Sequence, residues 1–81
     1  MKTEFTHERI IQILLKVKAI DNFKWDENTN LMKIGLSSLQ IINFLLKLEN
    51  EFEIEIEFDE FNYKNLQSLK IFKNYLADTY K

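Results

Sequence analysis

The apolar positions of this chain change their period along its length, and each change marks an element. From His7 to Ile20, the residues Ile10, Ile13, Leu14, Val17 and Ile20 recur at helical spacing, with Glu8, Arg9, Gln12 and Lys16 on the other side. That pattern predicts an amphipathic helix, and the Thr6 hydroxyl is placed to cap it. From Asp21 to Leu36 the period is lost, with the polar string Asp26-Glu27-Asn28-Thr29-Asn30 at the centre. This stretch reads as a long loop that Trp25 and Leu31 pin to the core. A connection of that length in a compact domain points either to function or to a short helix hidden within it.

The second helix carries more information. Ser37 and Gln40 form an S-x-x-Q capping box, and Leu39, Ile41, Ile42, Phe44, Leu45, Leu46 and Leu48 follow at once. Gln40, Asn43, Lys47, Asn50 and Glu51 fall on one narrow polar strip, the pattern of a centrally packed helix. Next, Phe52, Ile54, Ile56 and Phe58 alternate with glutamates at 51, 53, 55 and 57, which periodicity alone would make a strand. A lone strand has no pairing partner in an otherwise helical chain, so the expectation is an extended segment that sends alternate side chains into the core. A short helical turn is expected around Asp59 to Tyr63. A last helix begins near Ser68, with Leu69, Phe72, Tyr75, Leu76 and Tyr80 on one face. The fold class is therefore all-α: a small bundle of three main helices plus a short fourth, with a long first loop.

Composition narrows the chemistry. The 81 residues, 46% of them hydrophobic, suffice for one core, and with no proline, one glycine and no repeat, residues 1–81 read as a single domain. The absence of cysteine removes disulfides, thiolate metal sites and a cysteine nucleophile, so any thiol chemistry must be imported. No apolar run reaches the roughly 20 residues of a membrane span, and MKTEFTHERI lacks the apolar core of a secretory signal, so a cytoplasmic protein without a membrane span is expected. The formal net charge is only -2, but seven acids and no base lie between Glu49 and Glu60, while Lys64 to Lys81 holds four lysines against Asp78. No continuous basic stripe remains for a phosphate backbone, which argues against nucleic acid. His7 stands alone and reads as a solvated surface residue rather than a metal ligand, and no metal site is expected. Asp59 and Glu60 read as part of a solvated acidic face. No nucleophile, base and orienting acid can be assembled, so the chain is not expected to catalyse a reaction itself.

The candidate site is Gly35-Leu36-Ser37-Ser38-Leu39. With Ser37 as the cap, Ser38 is the first helical residue, and its hydroxyl emerges beside amides that lack intrahelical partners, at the positive end of the helix dipole. A phosphodiester there would be favoured, and Gly35 lets the backbone turn tightly and leaves room for an approaching group. By itself the string is most often ordinary helix capping.

Context adds to it. Leu31 and Ile34 precede Gly35, and Ser38-Leu39, Leu45-Leu46, Leu48-Glu49, Phe52, Ile54-Glu55-Ile56, Ser68-Leu69 and Tyr75-Leu76 follow. In this the chain resembles the acyl carrier and peptidyl carrier proteins, whose G-x-D-S-L motif opens a second helix after a long loop. The resemblance implies that Ser38 receives 4'-phosphopantetheine from coenzyme A through a phosphopantetheinyl transferase, with Gly35, Ser37 and Leu39 around the attachment point. It further implies a carrier that holds an acyl or aminoacyl group as a thioester. The implied partners are an acyl- or amino-acid-activating enzyme and downstream transferases, which would meet Leu39, Gln40, Asn43, Leu46 and Lys47, and a monomer is expected. Two departures stand out. The aspartate usual before the modified serine is Ser37 here, which keeps a capping oxygen but not the charge. The carboxylate-rich second helix of fatty-acid carriers is replaced by Gln40, Asn43 and Lys47, which suits a carrier dedicated to one pathway rather than to housekeeping fatty-acid synthesis. The alternatives are an unmodified carrier-like protein–protein interaction module and, more weakly, a dimer paired through Phe52 to Phe58.

Overall fold

In the computed structural model the described residues are 5–21, 23–58 and 61–80. They form α1 (His7–Val17), α2 (Ser38–Phe52), a 3₁₀ turn (Tyr63–Leu66) and α3 (Leu69–Thr79), with no strand among the described residues. Each start is set by a side-chain oxygen. Thr6 Oγ1 accepts from the Arg9 amide at 3.2 Å, Asn62 Oδ1 from Lys64 at 2.9 Å and Ser68 Oγ from Ile71 at 3.0 Å. These bonds satisfy first-turn donors that no helix can satisfy for itself.

The core runs along the middle of the bundle. Ile10, Ile13 and Leu14 of α1 meet Phe44, Leu45 and Leu48 of α2 and Leu69, Phe72 and Leu76 of α3, all buried. α1 packs on both other helices, and α3 also packs on the 3₁₀ turn. Aromatic rings fill the gaps, with Phe44 5.8 Å and Phe61 6.4 Å from Phe72 between centroids.

Two boundaries differ from the sequence expectation. α1 ends at Val17 rather than Ile20, because Lys18 adopts an extended backbone (φ -148, ψ 122). The short turn begins at Tyr63, where the expectation began it at Asp59; Asp59 and Glu60 lie outside the described residues. The reason is Asn62, whose side chain caps the turn one residue before Tyr63.

The long loop contains no helix among its described residues, but it is not without order. Asp26 Oδ1 accepts from the Asn28 amide at 2.8 Å, Thr29 Oγ1 from Asp26 at 2.9 Å and Asn30 Oδ1 from Met32 at 2.8 Å. The polar string thus bonds to its own backbone in successive tight turns. Longer ties come from the Leu31 amide to the Leu66 carbonyl at 2.8 Å and from the Lys70 amide to Glu27 at 2.9 Å. Leu31 is buried and Trp25 packs against the core, so both anchor the loop as its sequence implied. After α2, Ile56 is buried, Ile54 and Phe58 pack against the core, and Glu53, Glu55 and Glu57 are exposed, as expected for an extended segment.

Candidate functional site at the start of the second helix

Ser37 opens α2 with an extended backbone (φ -75, ψ 167). Its Oγ accepts from the Gln40 amide at 3.1 Å, and its own amide donates to Gln40 Oε1 at 2.9 Å, so both halves of the capping box are formed. The helical ladder then starts with Ile41 N–H to the Ser37 carbonyl at 3.0 Å. The amides of Ser38 and Leu39 are left without an intrahelical acceptor. Ser38 is the first residue of the helix and its side chain is exposed. Its hydroxyl therefore stands in solvent beside two unclaimed donors at the positive end of the dipole.

Upstream, Gly35 takes φ +91, a conformation that costs other L residues about 1 kcal/mol or more. A Cβ built there would lie 3.1 Å from Lys18 Nζ. That ammonium donates to the Gly35 carbonyl at 2.7 Å. Glycine is thus favoured here both by conformation and by space.

The outer face of α2 departs from a simple polar strip. Leu39, Ile42 and Leu46 recur at i, i+3 and i+7 and are 68%, 40% and 47% exposed, which makes a continuous apolar stripe leading away from Ser38. Asn43 and Lys47 run beside it, and with Leu46 they border a shallow groove against Lys16 and Val17 of α1. Of the polar residues expected on this face, Gln40 is half-buried and its carbonyl oxygen belongs to the cap. Glu51 is tied to α1 through Lys16 at 3.1 Å and Arg9 at 3.8 Å.

A hydroxyl that is to carry 4'-phosphopantetheine must be exposed and near donors for the phosphodiester. Ser38 meets both conditions. Compared with known protein families, residues 8–72 match the phosphopantetheine attachment site family. The chain belongs to this family. Its members carry 4'-phosphopantetheine covalently, and the carrier role implies dealings with a phosphopantetheinyl transferase and with biosynthetic enzymes. Searches among curated proteins and among solved structures gave no match.

Elsewhere on this carrier the described residues offer little competing chemistry. No group of three or more His, Cys, Asp or Glu able to hold a metal occurs among them. No described helix is long and apolar enough to cross a membrane. His7 is not the solvated surface residue expected from its isolation in the sequence. It is half-buried at the first turn of α1, and its Nε2 has no hydrogen-bond partner among the described residues. The Tyr80 phenol is pushed above the ordinary tyrosine range, first by burial and then by Tyr75 and the carboxylates of Glu49 and Glu57. It stays protonated at neutral pH and offers no nucleophile.

Two features of the site escape sequence reasoning. Ile42 has the spacing of the apolar stripe, but an isoleucine inside an apolar helix reads as core. Lys18 falls beyond the helix end, and nothing in the pattern links it to Gly35, 17 positions away.

Proposed function

We propose that residues 1–81 form a single, monomeric, non-catalytic carrier domain on which Ser38 takes the phosphopantetheine arm and holds an acyl or aminoacyl group as a thioester for one dedicated cytoplasmic pathway. The observation that carries this reading is the exposed Ser38 hydroxyl at the first position of a capped helix, within the span that matches the family. In the loading step the Ser38 oxygen forms a bond to the phosphorus bearing the pantetheine. The pyrophosphate bond of coenzyme A breaks, adenosine bisphosphate leaves, and the serine proton is released to a base of the transferase.

The chain's own residues support the step without performing it. The Ser38 and Leu39 amides and the helix dipole stabilise negative charge on the new phosphodiester. Gly35 allows the positive-φ turn that leads into the helix start, and Ser37 holds that start in place of the usual aspartate. A dedicated rather than housekeeping role is supported by the outer face of α2, which presents leucine, isoleucine, asparagine and lysine where fatty-acid carriers present carboxylates. An unmodified interaction module would use the same face and leave Ser38 bare.

The test is incubation of the purified chain with coenzyme A and a promiscuous phosphopantetheinyl transferase, followed by intact mass. Wild type and Ser37→Ala are expected to gain one phosphopantetheine and Ser38→Ala none, while Ser37→Ala melts earlier through loss of about 1 kcal/mol of capping. Modification of Ser38→Ala would move the anchor elsewhere, and an unmodified wild type would favour the interaction module.

A further inference from the structure

Residues 34–36 are the last of the loop before the Ser37 cap, and they are sparsely held. Ile34 and Leu36 rest against the core, but neither makes a hydrogen bond among the described residues. Among the described residues, the one hydrogen bond that reaches this tripeptide is the 2.7 Å contact from Lys18 Nζ to the Gly35 carbonyl. It joins the first residue beyond α1 to a turn three positions ahead of Ser38. The same ammonium closes the side of Gly35 on which a Cβ would project. Lys18 makes no ion pair among the described residues. A charge-assisted donor of this length is among the stronger hydrogen bonds.

We infer that Lys18 is a positioning residue for the modification of Ser38. Its ammonium fixes the Gly35 turn, and through that turn the orientation in which the first residues of α2 are presented. The extended backbone of Lys18 serves this purpose: by leaving the helix after Val17, the chain directs a long, flexible side chain across to the loop instead of along α1. The inference rests on the carrier reading of Ser38, but its consequences can be measured separately.

The experiment compares wild type, Lys18→Met and Lys18→Arg as full-length unmodified chains. Methionine keeps the length and apolar stem and removes the donor, whereas arginine restores a cationic donor. Steady-state modification with coenzyme A and a phosphopantetheinyl transferase is expected to show a fall of about fivefold in kcat/KM for Lys18→Met, the rate equivalent of one hydrogen bond's net contribution. Lys18→Arg is expected within about twofold of wild type, since an exposed cation can satisfy the same carbonyl. Lys18→Met is expected to melt slightly earlier, as the loss of one solvent-exposed hydrogen bond would cause, and Lys18→Arg at the wild-type temperature.

In parallel, backbone amide relaxation by NMR should show increased fast motion at Gly35, Leu36 and Ser37 in Lys18→Met alone, with α2 from Ile41 onward unchanged. Wild-type kinetics in Lys18→Met overturn the inference. So does a kinetic loss with unaltered relaxation, which would make Lys18 a contact of the transferase rather than a positioner. Should even the wild type resist modification, the carrier reading fails, and the relaxation comparison still decides whether Lys18 orders the turn.

Discussion

The Glu49 carboxylate accepts a hydrogen bond from the backbone amide of Ile56 at 2.7 Å, seven residues further along the chain. Its backbone carbonyl also accepts from the Ile54 amide at 3.1 Å. One residue in the last turns of α2 therefore takes the place of a partner strand for the segment that follows. Ile56 can then be buried without stranding its own amide. Glu49→Ala is expected to lower stability by about 1–2 kcal/mol, because a part-buried amide loses a charged acceptor. Glu49→Gln, which keeps an acceptor oxygen, is expected to lose less. Chemical denaturation of the two variants checks the order; equal losses would mean that the acceptor is not what matters.

Glu53 closes α2 in the left-handed region at φ 53, ψ 49, the one non-glycine residue at positive φ among those described. Glycine adopts this backbone without the clash that a Cβ brings. Glu53→Gly is expected to raise stability by about 0.5–1 kcal/mol, the strain relieved less the entropy that glycine adds to the unfolded chain. A thermal melt reads this directly. A fall in melting temperature would show that the exposed Glu53 side chain contributes more than its backbone costs.

Docking is expected to depend on the apolar stripe of α2 more than on charge. Leu39→Ala and Leu46→Ala should each weaken binding of the modified carrier to its loading enzyme by about 1–2 kcal/mol, and Lys47→Ala by about 0.5 kcal/mol or less. Affinity should fall only slightly as salt rises to physiological strength, where charges are screened beyond about 8 Å. Calorimetric titration at several salt concentrations is the measurement. A steep loss with salt, or a Lys47→Ala effect larger than that of both leucines, would relocate recognition to the charged surface.

How much of this was legible in the sequence follows from where the determining contacts lie. The start of α2 was readable because Ser37 and Gln40 lie three positions apart in sequence and their side chains cap each other's backbone amides. The alternating segment was readable as extended, though not as strand, because burial follows side-chain parity whether or not a second strand is present. The end of α1 was not readable. Ile20 falls in phase with the helix, yet the backbone turns away at Lys18, whose side chain reaches the distant Gly35 carbonyl. The Gly35 turn shows the same limit from the other side: a glycine announces a bend, but not the ammonium that packs against it. The position of the 3₁₀ turn rests on a local cap at Asn62, a signal present in the sequence that the apolar pattern obscured.

The exposed glutamates of the extended segment also bear on how two copies of the chain would meet. Laid edge to edge in either direction, two such segments would set Glu53, Glu55 and Glu57 against the same residues of the other copy. Like charges directly opposed across a strand pair are destabilising, and charged side chains are a common guard on unpaired edges. The stretch with the strongest strand pattern in the chain thus carries its own electrostatic penalty against becoming one with a twin.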